Sequence, residues 1–193
     1  EAVDLALYAV VPGPTGAHNW HPMAFNPDTG LVYIPVNEIP FFYDKTRNVD
    51  DSKSFWNLGY DAAAGWPVEY PAGTLDAIAD MDGGSLLAWD PVKAEPRWAV
   101  PFALPLNGGV LSTEAGLVFQ GNKFGDLVAY DAETGERLWS EQLVGNAAAA
   151  PMTYEIDGEQ FLSVLSGWGS LSNLVAGFTY GQAAGKEPAR VIT

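Results

Sequence analysis

GDLVAYDAETGERLW, residues Gly125–Trp139, decides the fold. A strand-like run ends in Ala129-Tyr130-Asp131, Thr134-Gly135 makes a turn, and a second run closes on Trp139. Each residue type has a reason to be there. An Asp side chain accepts hydrogen bonds from the backbone of the turn that follows it. Gly takes a positive φ at no steric cost. Trp offers a large flat surface and one N–H, which suits docking against a neighbouring unit. Gly84–Trp98, GSLLAWDPVKAEPRW, repeats the pattern with Ala, an aromatic, Asp, and Trp eight residues after the Asp; 41 residues separate Asp90 from Asp131. Ala24–Gly30, AFNPDTG, reads as a third and looser copy with Asn26 in place of Asp. Units of about 40 residues with four short strands are propeller blades. Unrelated hairpins sharing turn chemistry would have no reason to keep Ala, aromatic, acid and Trp in register.

The rest of the chain agrees. Short runs bounded by Gly, Pro, Asn or Asp occur at Val32–Val36, Leu86–Trp89, Val110–Ser112, Leu117–Gln120, Leu127–Tyr130, Phe161–Ser166 and Leu174–Phe178. No amphipathic helix of useful length is visible. The expected fold class is all-β, a β-propeller of four-stranded antiparallel blades. The 193 residues supply three to four blades of a single propeller domain. Closed propellers use about four to eight, and an open arc would expose strand edges. A further part of the propeller is therefore expected as a partner, as a separate chain or a missing segment. An aromatic-rich insert at about 41–80 is expected to lie between blades. Its Phe41, Phe42, Tyr43, Phe55, Trp56, Tyr60, Trp66 and Tyr70 suit either a cap over a pocket, an interface, or a self-packed loop.

Charge and composition exclude several functions. Lys and Arg number 9 against 24 Asp and Glu, a net charge of −15, which argues against nucleic acid as a partner. It suits a basic macromolecular partner, with an attraction that salt would weaken. There is no cysteine, so disulfides, thiolate metal sites and haem attachment are impossible within this chain. No apolar run approaches the roughly 18 residues of a membrane span, and no signal peptide is visible.

The Trp139 repeat resembles the tryptophan-docking motif, Ala-x-Asp-x-x-Thr-Gly-x-x-x-Trp, of the pyrroloquinoline quinone (PQQ) dependent alcohol dehydrogenases. Gly16–Pro35, GAHNWHPMAFNPDTGLVYIP, is similar to the family segment in which an Asn-Trp pair contacts the quinone. Leu106–Gly121 and Ala149–Gly169 resemble further family segments in the same order. The resemblance covers nearly the whole chain and implies the C-terminal part of an eight-bladed propeller. It also implies alcohol oxidation by hydride transfer to PQQ, a Ca²⁺ or lanthanide, a cytochrome c-type or other acceptor, and a periplasmic location. The family's aspartate base, metal-binding acids and adjacent-cysteine pair belong to an N-terminal portion absent here. No catalytic or metal-ligating residue is therefore expected in this chain, and Asp90 and Asp131 read as repeat aspartates.

By resemblance, Asn19 contacts the quinone edge and Trp20 lies at the cofactor. Composition alone favours a turn Asn and a core Trp, and the resemblance reverses that. His18 and His21 form H-x-x-H, but no third ligand is evident and the segment is not helical, so packing and backbone hydrogen bonds are expected. Asn107, before Gly108-Gly109, stands where the family faces the cofactor cavity, often with Trp in the methanol dehydrogenase branch; a plain loop is the other reading. Trp168, in Gly167-Trp168-Gly169, belongs to a segment near the cofactor in the family, and a lone G-x-G is no nucleotide motif. Ala147 and Ala148 are expected to pass backbone along the cofactor. The alternative from another class is a non-catalytic propeller that serves as an interaction scaffold. A sugar-binding propeller is a weaker third option.

Overall fold

The computed structural model describes residues 7–13, 15–44, 82–167 and 190–193, and every regular element among them is a strand. The first blade orders β2 (Ala24–Asn26), β3 (Leu31–Asn37), β5 (Gly84–Asp90) and β6 (Glu95–Phe102) as β2-β3-β5-β6. The second orders β7 (Val110–Ser112), β8 (Leu117–Gly121), β9 (Asp126–Asp131) and β10 (Arg137–Gln142) in the same way. A three-stranded sheet follows, of β11 (Met152–Ile156), β12 (Glu159–Ser166) and β13 (Arg190–Ile192). All pairings are antiparallel, and a separate ribbon joins β1 (Leu7–Val10) to β4 (Phe41–Asp44). The expected run at Leu174–Phe178 lies outside the described residues.

The insert is not between blades. β3 and β5 pair directly from Val32↔Trp89 to Asn37↔Gly84, so the chain leaves and re-enters one blade. A long excursion is tolerated there because the cost of closing a loop grows only slowly with its length. Phe41–Asp44 forms β4 against β1; the insert's residues 45–81 lie outside the described residues.

Tryptophan docking has a direct physical basis. Ala88 is the cross-strand partner of Trp98, and Ala129 that of Trp139, so the small residue of the repeat leaves room beside each indole. Trp98 reaches the second blade: its Nε1–H donates to Ala132 O at 3.1 Å. The buried Tyr33 hydroxyl donates to the same carbonyl at 2.9 Å, with its ring 5.7 Å from that of Trp98. Gly135 takes φ +75°, and a Cβ there would stand 2.7 Å from Trp98 Cε3, so the glycine lets the indole lie on the turn. This contact closes the core between the two blades, where Leu31, Tyr33, Leu86, Ala88, Val110, Val118, Val128 and Tyr130 are buried together. Trp139 has no such cover among the described residues and is 46% exposed.

The repeat aspartates cap their turns. Asp131 Oδ1 accepts from the N–H groups of Glu133 and Thr134 at 3.0 and 2.9 Å, and Asp90 Oδ1 from those of Val92 and Lys93 at 3.0 Å each. The Thr134 N–H and hydroxyl hold the Asp131 carboxyl below its usual range. The Asn26 copy needs correction. It shares the turn chemistry, accepting from Asp28 N–H at 2.9 Å, but it joins the first and second strands of its blade rather than the third and fourth. It is Asn for a reason: Nδ2 donates to Ser112 Oγ and Thr113 O, both at 3.1 Å, tying the first blade to the second. A carboxylate has no proton to give.

Ala94 occupies in the first blade the place of Gly135 in the second, at φ +56° and exposed. Ala94→Gly relieves the left-handed strain, and is expected to stabilise the protein by about 0.5–1 kcal/mol after the glycine's own entropy cost is set against it. Thermal unfolding checks this; a lower midpoint refutes it.

Candidate functional site

Antiparallel blades place successive connections at alternate ends. The capped turns gather at one end. At the other lie the segments that enter each blade (residues 15–23, 103–109 and 143–151) and the β8–β9 turn, residues 122–125. These segments run in contact. Val110 N–H donates to Pro22 O at 2.9 Å, Gly108 N–H to Gly121 O at 2.8 Å, and Ala147 N–H to Asn122 O at 3.2 Å. Asn146 and Gly167 exchange backbone bonds of 3.2 and 2.9 Å. A Cβ on Gly108 would stand 2.4 Å from Ala147 O, and one on Gly109 would stand 2.6 Å from Pro22 Cδ. Glycine is required there because backbone meets backbone.

Most of the expected residues meet at this end. Trp20 is 49% exposed, with its ring 5.0 Å from that of His21 and tilted 32° to it. It is a rim residue, not core. Asn19 is exposed and its Nδ2 donates to Thr15 O at 3.0 Å. Asn107 is buried and its amide is engaged by the protein: Nδ2 donates to Leu104 O at 2.7 Å, and Oδ1 accepts from Lys123 N–H at 3.3 Å. Ala147 is fully buried beneath Gly108 and Gly121, with Ala148 half-buried beside it. Trp168 lies outside the described residues. His18 Nδ1 stands 2.9 Å from Pro35 O and, facing a carbonyl, acts as the donor.

One group of the site, Lys123, carries no mark in the sequence, and another, His21, packs as the H-x-x-H reading expects but makes no backbone hydrogen bond through Nδ1. His21 is only 5% exposed, and its Nδ1 has no hydrogen-bond partner. Burial, then the charges of His18 and Lys123, lower its pKa. Lys123 is half-buried in the β8–β9 turn, and burial pushes its ammonium down to about 8. Nothing in the sequence around Lys123 signals this, because its surroundings come from residues 16 to more than 100 positions away. Among the described residues no three His, Asp or Glu side chains gather as a metal site.

Fold and site together define successive blades of a β-propeller whose entry end carries an exposed indole beside a buried, unpartnered imidazole nitrogen. The chain belongs to the PQQ glucose/ethanol/alcohol dehydrogenase β-propeller family, which it matches over residues 4–162. It is 46% identical over 167 residues to quinohemoprotein alcohol dehydrogenase ADH IIB of Pseudomonas putida, covering 86% of this chain and 23% of that protein. It is 41% identical over 187 residues to the ADH-IIG enzyme of the same species, covering 95% of this chain and 26% of that protein. The crystal structure of quinohemoprotein alcohol dehydrogenase from Comamonas testosteroni superposes with a TM-score of 0.67 at 42% identity, over 84% of this chain and 24% of that one. A europium-containing methanol dehydrogenase shares the fold, with a TM-score of 0.62 at 24% identity. The chain thus spans about a quarter of the relatives it matches.

Proposed function

We propose that this chain forms one side of the cofactor pocket of a PQQ-dependent dehydrogenase acting on primary or secondary alcohols, with sugar alcohols and aldehydes as further candidates. The observation that carries the reading is the exposed Trp20 plane beside the unpartnered His21 Nδ1, where three blade-entry segments meet. The donor set fits a planar quinone bearing carboxylates. An indole offers the flat surface, Asn19 offers both donor and acceptor at the edge, and Lys123 supplies positive charge without a carboxylate of its own among the described residues.

The chemistry that PQQ supplies when bound is acceptance of a hydride from the alcohol carbon, with electrons then leaving for a cytochrome c-type acceptor. This chain's residues orient and enclose. Trp20 presents its face, Asn19 directs an edge, and the buried Gly108, Gly121 and Ala147 layer keeps the floor rigid and dry. The base, and any Ca²⁺ or lanthanide, are assigned to residues outside this chain. The relatives named for cytochrome c, a lupanine 17-hydroxylase and a 1-butanol dehydrogenase, support the acceptor, and a periplasmic location is part of the same proposal.

The test is PQQ titration of the complete gene product, read by quenching of tryptophan emission. Trp20→Ala is expected to lose about 1–3 kcal/mol of binding, or about 5- to 150-fold in affinity, with Trp20→Phe intermediate. A folded protein that binds no PQQ would sink the dehydrogenase reading in favour of a scaffold.

A further inference from the structure

Trp20 is 49% exposed, and among the described residues its ring meets that of its neighbour His21 and no other. Its place is therefore set by the backbone that carries it. That backbone forms an arch on the edge of β3. On the far leg, Ala24 pairs with Tyr33, and Val110 N–H donates to Pro22 O at 2.9 Å. On the near leg, Asn37 N–H donates to Ala17 O at 2.7 Å, and His18 Nδ1–H to Pro35 O at 2.9 Å. Tyr33 and Pro35 are two residues apart on β3, about 7 Å along a strand. The six steps of chain from His18 to Ala24 are long enough to span about 20 Å. The chain between the legs must rise off the sheet. It does so with His21 turned in, 5% exposed, and with Asn19 and Trp20 turned out. Pro35 explains the near leg. β2 stops at Ala24, so the carbonyl of the buried Pro35, facing the same edge as the Asn37 N–H, lies past the end of that strand and takes its proton from His18.

We propose that His18 is a positioning residue for the quinone: its bond to Pro35 O fixes the near leg of the arch, and with it the place where Asn19 and Trp20 meet the ring. The inference rests on the PQQ reading. His18 acts through the arch rather than on the cofactor. Without its bond the arch samples other shapes, and affinity falls with the fraction of molecules that hold the binding one.

The experiment titrates the complete gene product, freed of cofactor, with PQQ, and records thermal unfolding of each variant beside it. Asn places an Nδ2 donor where the imidazole has Nδ1, so His18→Asn is expected to stay within about 2-fold of wild-type affinity. Asp has the same shape without the proton, and Leu has no polar group. His18→Asp and His18→Leu are each expected to weaken PQQ about 3- to 10-fold, the population shift that one hydrogen bond maintains. Gly116→Ala, in a turn at the opposite end, is the control for stability alone: it lowers the unfolding midpoint and is expected to leave PQQ affinity unchanged. Wild-type affinity in both His18→Asp and His18→Leu overturns the positioning role. So does a loss in His18→Asn as large as theirs, or an equal loss in Gly116→Ala. A wild-type protein that binds no PQQ overturns the PQQ reading itself, and the role with it.

Discussion

Gly121→Ala is expected to cost on the order of 3 kcal/mol and to loosen the joint between the second blade and the third. A Cβ at Gly121 would stand 2.2 Å from Ala147 O and 2.4 Å from Ala147 Cβ, so one atom would meet two that cannot swing aside. Ala147 cannot retreat easily. It is fully buried, its N–H is held by Asn122 O, and the neighbouring Asn146 is tied to Gly167. It also belongs to the second core cluster with Leu127, Leu143 and Val164, so any shift opens packing between blades. Gly116→Ala is the control. Its φ is +76° but nothing lies within 4 Å of the added methyl, so it carries only the left-handed penalty of about 1–2 kcal/mol. Denaturant unfolding of the two variants separates the effects. Gly121 has no left-handed φ of its own, so a loss there no larger than at Gly116 would mean that the neighbouring blade gives way around the methyl at little cost.

Trp98→Ala is expected to cost about 3–5 kcal/mol, as removal of a large docked aromatic does. The variant loses the surface that Gly135 accommodates, the ring contact with Tyr33, and the donor to Ala132 O. Ala132 O keeps the Tyr33 hydroxyl, so no buried acceptor is orphaned and the loss is mainly packing. Trp98→Phe is therefore expected to recover more than half of it. If Phe behaved like Ala in thermal or denaturant unfolding, the indole N–H would matter more than the packed ring, and docking by shape would be refuted.

The aspartate repeat is legible in the sequence because its causes are local. An Asp, a left-handed residue four positions on, and an Ala opposite a Trp are demanded by one hairpin, whatever the rest of the molecule does. That same locality misleads at Asn26. Its turn is chemically a copy of the Asp131 turn, yet it joins different strands, and only its long-range bonds to Ser112 and Thr113 explain the amide. The insert is visible as an aromatic-rich interruption, but its place within one blade follows from the β3–β5 pairing, which spans nearly 50 positions of sequence. Asn19 and Trp20 stand out only through resemblance, and they lie exposed at the blade-entry end. Asn107 and Ala147 lie at the same end but face the protein, the first through its hydrogen bonds and the second through burial.

By itself the sequence determined an all-β chain of repeated hairpins, the blade period, an acidic surface, and the family to which those repeats point. Those follow from neighbours in the chain, where side chain and turn backbone meet within a few residues. Tertiary structure alone decided that Trp98 docks on the turn of the next blade, and that the charge of Lys123 is felt at His21. Such features depend on segments brought together across tens of positions in the first case and more than 100 in the second. Burial and the loss of water, which make a charge costly and a donor available, exist only once those segments have packed.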